Sequence, residues 1–145
     1  DVSLVGSEMC IRDSLVTVAI IGILAATSIL AYNGYISASK KTTAKSLMQT
    51  ISLAESEWYA DTGSYYVNSE SSTCDANTIS IGELNTTLFD NEDVIPDDLG
   101  WGVCVASAGD GGSFQVFAEK ENGTADDIMC LNRNGSIREG QAECS

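Results

Sequence analysis

LVTVAIIGILAATSIL, Leu15 to Leu30, decides the fold, because no charged side chain occurs from Ser14 through Ser39. An apolar run of this kind needs about 17–25 residues to cross hydrocarbon, and extension to Tyr35 supplies them. Gly22 and the β-branched residues Val16, Thr17, Val18, Ile20, Ile21 and Ile23 weaken helix propensity in water. In lipid the backbone must bond to itself, so helix remains the form expected of a single span. The small side chains Ala19, Gly22, Ala25, Ala26 and Ser28 leave room for a neighbouring helix to approach closely.

Downstream the pattern changes without a helix breaker. Ala44, Leu47, Met48, Ile51, Ala54 and Trp58 follow i, i+3, i+4, i+7 spacing, the signature of an amphipathic helix. Lys40, Lys41, Lys45, Gln49, Ser52 and Glu55 fall mostly on its other faces. Gly63, after Asp61 and Thr62, is a C-terminal stop signal. The expected division is an apolar membrane-spanning helix at 15–38, an amphipathic half at 39–62 and a head at 63–145. Upstream, DVSLVGSEMCIRDS (1–14) is too polar for a signal-peptide core and shows no apolar helical face. It resembles translated adaptor read-through found in some metagenome-derived sequences. The expectation is therefore a non-native terminus, with Cys10, Arg12 and Asp13 given no weight.

The head begins with a polar loop from Ser64 to about Ser80, then a short helix or turn near Glu83–Asp90 and an acidic stretch from Asp90 to Asp98. From Trp101 the runs WGVCVASA, SFQVFAEK, DDIMCLN and SIRE are separated by GDGG, NGT and NG. Gly and Asn tolerate the positive φ of tight turns, so these are hairpin signals. In the second run Phe114, Val116 and Ala118 alternate with Gln115, Phe117 and Glu119, giving one apolar face for the helix stripe to cover. The fold class expected is α+β: a long N-terminal helix laid across a four-stranded antiparallel meander.

The chain has 145 residues and a formal charge of −14, with 18 acidic against 3 basic residues from Ser46 onward. Such a head repels phosphate backbones, so nucleic-acid binding by the head alone is not expected. Solubility is the plain account of the acidity, and a calcium ion in an acidic loop is the lesser alternative. No cofactor is expected. There are five cysteines, no histidine and no CxxC pair, which removes the commonest general base and any zinc-ribbon or thioredoxin signature.

Cys74, Cys104, Cys130 and Cys144 in a small head read as two disulfides. Of three connectivities, the favoured one joins Cys130 to Cys144, closing a C-terminal loop at about 3 kcal/mol in the chain-entropy model. It leaves Cys74 for Cys104; the other two stay open. Lys40, Lys41 and Lys45 flank the span on the side that the positive-inside rule assigns to the cytoplasm. The cysteines argue for the opposite side and are given precedence.

The string LVTVAIIGILAA, the tyrosines Tyr32 and Tyr35, and the stretch ending in EWYADTGSYY resemble the type IV pilin and pseudopilin family. CLNRNG…C is similar to the disulfide-closed C-terminal loop of many such pilins. The resemblance covers Leu15 to about Tyr66 closely and the head in outline. It implies a leader cut by a prepilin peptidase, a methylated new terminus, and an anchor in the inner membrane. Assembly by a platform machinery would follow, giving a helical homopolymer on the bacterial surface that serves adhesion, motility or DNA uptake. Leu15, Val18, Ala19, Ile20, Ile21, Gly22, Ile23, Leu24, Ala25 and Ala26 would then line the filament core. The chain departs from the family where Leu30 stands for its usual proline and Asp13 for its glutamate.

A pseudopilin of a type II secretion system is the nearest alternative, and a membrane-anchored binding domain that never polymerises is another. An enzyme is the least favoured class. Asp97 and Asp98 fit a solvated loop better than an acid–base pair, and Trp58 and Trp101 fit packing. Three sequons, at Asn85, Asn122 and Asn134, are weak glycosylation signals.

Overall fold

The computed structural model describes residues 2–69, 74–108 and 112–144. Helix α1 (Val2–Thr62) is followed by helix α2 (Thr78–Thr87). Strands β1 (Trp101–Ser107), β2 (Phe114–Lys120), β3 (Ile128–Asn132) and β4 (Ile137–Glu139) come next, then a closing helical turn α3 (Gln141–Cys144). Short 3-10 turns at Asp97–Leu99 and Ala125–Asp127 precede β1 and β3. The fold is α+β, a long N-terminal helix with an open four-stranded antiparallel sheet in the order β1-β2-β3-β4. The chain divides into two compact units, one ending at Ser39 and the other running from Lys40.

In the first unit the helix starts at Val2, upstream of the expected start at Leu15. The difference has a simple cause. Once a helix exists, each added residue contributes a hydrogen bond without a new nucleation cost, and no proline precedes Leu15. At the other end the stop falls where Gly63 predicts it. Gly63 takes φ +79°, and its N–H donates to the Tyr59 carbonyl at 2.8 Å, an αL cap that few residues except glycine tolerate.

The core belongs to the second unit. Ala44, Met48 and Ile51 of α1 are fully buried against Ile81 and Leu84 of α2 and against one face of the sheet. That face is built by alternation: Val103 and Val105 of β1, Phe114, Val116 and Ala118 of β2, and Met129 and Leu131 of β3. The register aligns them, with Val105 opposite Val116 and Val116 opposite Leu131. Leu47, expected in the helix stripe, packs at its margin.

Two features differ from the expected loops. Asn68 and Ser69 pair with the outer edge of β1, in parallel, through a single bridge between Ser69 and Ala106. Asn68 N–H donates to Val105 O at 2.8 Å, while Val105 N–H donates to the Asn68 Oδ1 at 3.0 Å. A side-chain oxygen stands in for a strand carbonyl, so no alternating pattern marks the segment. α2 begins at Thr78, earlier than the helix expected near Glu83. Ahead of it, the chain at Ala76 passes so close to Gly102 that a Cβ there would collide with the Ala76 carbonyl. Of the turns, Asn122 (φ +57°) and Gly135 (φ +80°) supply the left-handed positions. GDGG falls mostly at 109–111, outside the described residues.

Candidate functional site

The residues that set this chain apart lie in the first unit. Leu15, Val18, Ile20, Ile21, Ile23 and Leu24 are each more than half exposed, and Ala19, Gly22, Ala25 and Ala26 are exposed with them. Apolar surface covers every side of the helix. A helix of that kind is stable inside a large core or a membrane, and α1 is long and apolar enough to cross one. Its hydroxyls suit an apolar phase. Thr17 donates to the Asp13 carbonyl at 2.8 Å, Thr27 to Leu24 at 3.1 Å and Ser28 to Leu24 at 2.7 Å. Each hydroxyl proton thus already has its acceptor on the helix, so burial in lipid or against another helix strands none of them.

In the head, the structure joins Cys74 to Cys104 and Cys130 to Cys144, leaving Cys10 free and exposed. Both bridges sit on the sheet face turned away from α1. There Cys104, Ala106, Phe117, Cys130 and Cys144 form a second buried cluster with Cys74 and Ala76 at its margin. Phe117, grouped by its alternation with the polar residues Gln115 and Glu119, is therefore buried at 6% exposure. The sheet has two covered faces instead of the one expected. The second cover is made by segments with little regular structure, which periodicity does not detect.

The lysines after the apolar run have partners in their own head. Lys41 and Lys45 both reach Glu139 on β4, at 2.7 and 2.5 Å, and Lys40 donates to the Asp98 carbonyl at 3.1 Å. The two ammonium groups hold the Glu139 carboxyl down at about 2. These contacts account for the three lysines without any appeal to membrane topology.

Glu55 departs furthest from the expected pattern. Expected on the polar side of α1, it is fully buried. It continues the buried series Ala44, Met48, Ile51 by one more step of four, and that spacing was the available signal. Its Oε2 accepts the Tyr66 N–H at 3.0 Å, whereas Oε1 has no hydrogen-bond partner among the described residues. Burial pushes the carboxyl up to about 7, with the Tyr66 N–H pulling weakly the other way. Tyr66 is itself raised, chiefly by burial, and its ring meets Trp58 edge-on at 6.0 Å. Trp101 is 5% exposed in the core, so both tryptophans act in packing.

Asn85 is 8% exposed. Its amide donates to Asp93 Oδ1 at 3.1 Å and Ile95 O at 3.0 Å and accepts from Ile95 N at 3.0 Å. The first sequon is thus a structural clamp whose nitrogen is committed. Asn122 and Asn134 are exposed. Asp97 and Asp98 are exposed too, and among the described residues no group of three or more Cys, Asp or Glu side chains is placed to hold a metal ion. The chain matches no family model, no curated protein and no solved structure.

Proposed function

We propose that this chain is the structural subunit of a type IV pilus, held in a membrane by α1 before assembly and polymerised through the same helix afterwards. One observation carries the reading: α1 exposes apolar side chains on all sides around Leu15–Ala26 and then, without a break, buries Ala44, Met48 and Ile51 in a disulfide-bonded head. An anchor alone has no need of that continuity. In the proposed assembly, helices withdrawn from lipid cover one another, at roughly 25 cal/mol for each Å² removed from water, in a head-to-tail repeat that does not close. The acidic heads face outward, and the role is mechanical and adhesive, not catalytic. Heads outside the cytoplasm are favoured by the two disulfides, and the Lys–Glu139 pairing gives the flanking lysines a role that does not depend on topology.

The test is electron microscopy of material expressed with its peptidase and assembly platform, beside Ala25→Asp. A buried Asp at mid-span costs about 3 kcal/mol, roughly a hundredfold. Long fibres from the parent and none from Ala25→Asp, with the head still oxidised and folded, support the pilus. Short rods would point to a secretion pseudopilus. Monomers in detergent under every assembly condition would leave only a membrane-anchored domain.

A further inference from the structure

We propose that Glu55 is a proton-operated catch between helix α1 and the segment it feeds: the neutral carboxyl holds that segment against the helix, and the ionised carboxylate lets it open. The geometry comes first. The Glu55 side chain is wholly buried and grips the chain at one point, the Tyr66 backbone N–H. Two residues on, Asn68 exchanges hydrogen bonds with Val105 on the outer edge of β1, and Asn68 Nδ2 donates to Glu83 of α2 at 2.8 Å. Loosening the grip at Tyr66 therefore loosens the strand-like cover of the sheet edge.

Charge decides which state holds. The other oxygen, Oε1, is buried with neither donor nor acceptor among the described residues. A neutral acid leaves one O–H unbonded there, whereas an ionised carboxylate leaves a desolvated charge, the larger cost in a core. That cost outweighs the Tyr66 N–H bond. The titratable groups that face this spot add nothing to stabilise a negative charge. Tyr66 comes from the segment itself, and Glu83 of α2 acts on the Tyr66 phenol with the same sign as Glu55. On α1, the neighbouring Glu57 and Asp61 are exposed. Among the described residues no cation acts on the carboxyl, which burial dominates.

The sign follows from linkage. The folded carboxyl binds its proton up to about pH 7, against 4.5 when the segment is open. Opening therefore releases a proton between those values, and stability falls as pH rises through them. The opening constant grows about tenfold per pH unit across the window, up to roughly 300-fold, then levels off. The chain contains no histidine, the ordinary side chain that titrates near neutrality, and Glu55→Gln separates the Glu55 signal from any other group.

The experiment uses the full chain in neutral detergent micelles. Thermal midpoints and exchange of the Tyr66 amide, corrected for intrinsic rate, are followed from pH 5 to 8 in the parent and in Glu55→Gln. The parent is expected to lose stability and protection with rising pH and to level off above about 7, while Glu55→Gln stays flat. A flat parent, or the same slope in both proteins, overturns the proposal. Should Glu55→Gln fail to fold, infrared spectroscopy of the parent carrying 13C-glutamate decides alone. A protonated carboxyl band at pH 6 that is gone by pH 8 supports the catch; fully ionised carboxyls at pH 6 refute it.

Discussion

Replacing Asn85 with alanine tests the packing of the acidic head in one step. The side chain makes three hydrogen bonds, two of them to the backbone of Ile95, a residue with no exposure. Asn85→Ala strands both the N–H and the carbonyl of Ile95 away from water, at about 1–3 kcal/mol each. Asp93 is exposed, so water replaces the third bond at little cost. Alanine returns up to ~0.7 kcal/mol through helix propensity, and the net loss is about 1–5 kcal/mol. For a domain of this size each kcal/mol lost lowers the melting midpoint by roughly 4–8 °C. Trp58 and Trp101 both belong to the second unit, so their fluorescence during heating or urea titration reads this loss directly. Asn85→Asp sharpens the test. It keeps an acceptor for Ile95 N–H, removes both donors, and sets a carboxylate beside the Ile95 carbonyl and Asp93. It should be at least as damaging at neutral pH and recover partly below about pH 4 as the new group protonates. A loss under about 1 kcal/mol in both variants would show that Asn85 does not clamp the loop. The same geometry predicts that Asn85 carries no glycan in folded protein, which peptide mass spectrometry checks.

Acid should loosen the link between α1 and β4. The Glu139 carboxyl is held at about 2 against its usual 4.5, so the stability it contributes is complete above about pH 4.5 and drains away as pH falls toward 2. The pair is well exposed, so Glu139→Gln should cost under about 1 kcal/mol and flatten part of the acid limb in pH-dependent urea titrations. Gly102→Ala should cost about 1–3 kcal/mol, because its new methyl meets the backbone of Ala76, and melting curves would show it. Joint replacement of Cys130 and Cys144 by serine should cost about 2–5 kcal/mol. In limited proteolysis the first cuts should then fall after Asn132; unchanged protection would refute the role of this bridge.

The sequence carried the framework because periodicity reports burial. The 4-3 spacing of Ala44, Met48 and Ile51, the alternation of Phe114 and Val116, and Gly63 past the last helical turn each name an environment, and the structure places them there. What escaped was specified by single atoms. Hydropathy puts Glu55 on the polar face because a carboxylate in a core contradicts it, even though the position fits the buried series. Asn85 looked like a sequon because a clamp between two loop positions leaves no pattern. Phe117 was grouped with polar neighbours because the layer covering it is irregular. Lys41 and Lys45 meet Glu139 across nearly the whole length of the head's sequence, a distance that no local spacing encodes.

The two faces of the sheet differ in what change they tolerate. On the α1 side the buried side chains form one packed cluster, and altering one disturbs its neighbours' volumes. On the far side, two covalent staples carry much of the hold. Loops fastened that way can trade residues widely while keeping their course. The molecule thus pairs a face held by interlocked volume with a face held by covalent ties, and the second should absorb substitutions that the first rejects.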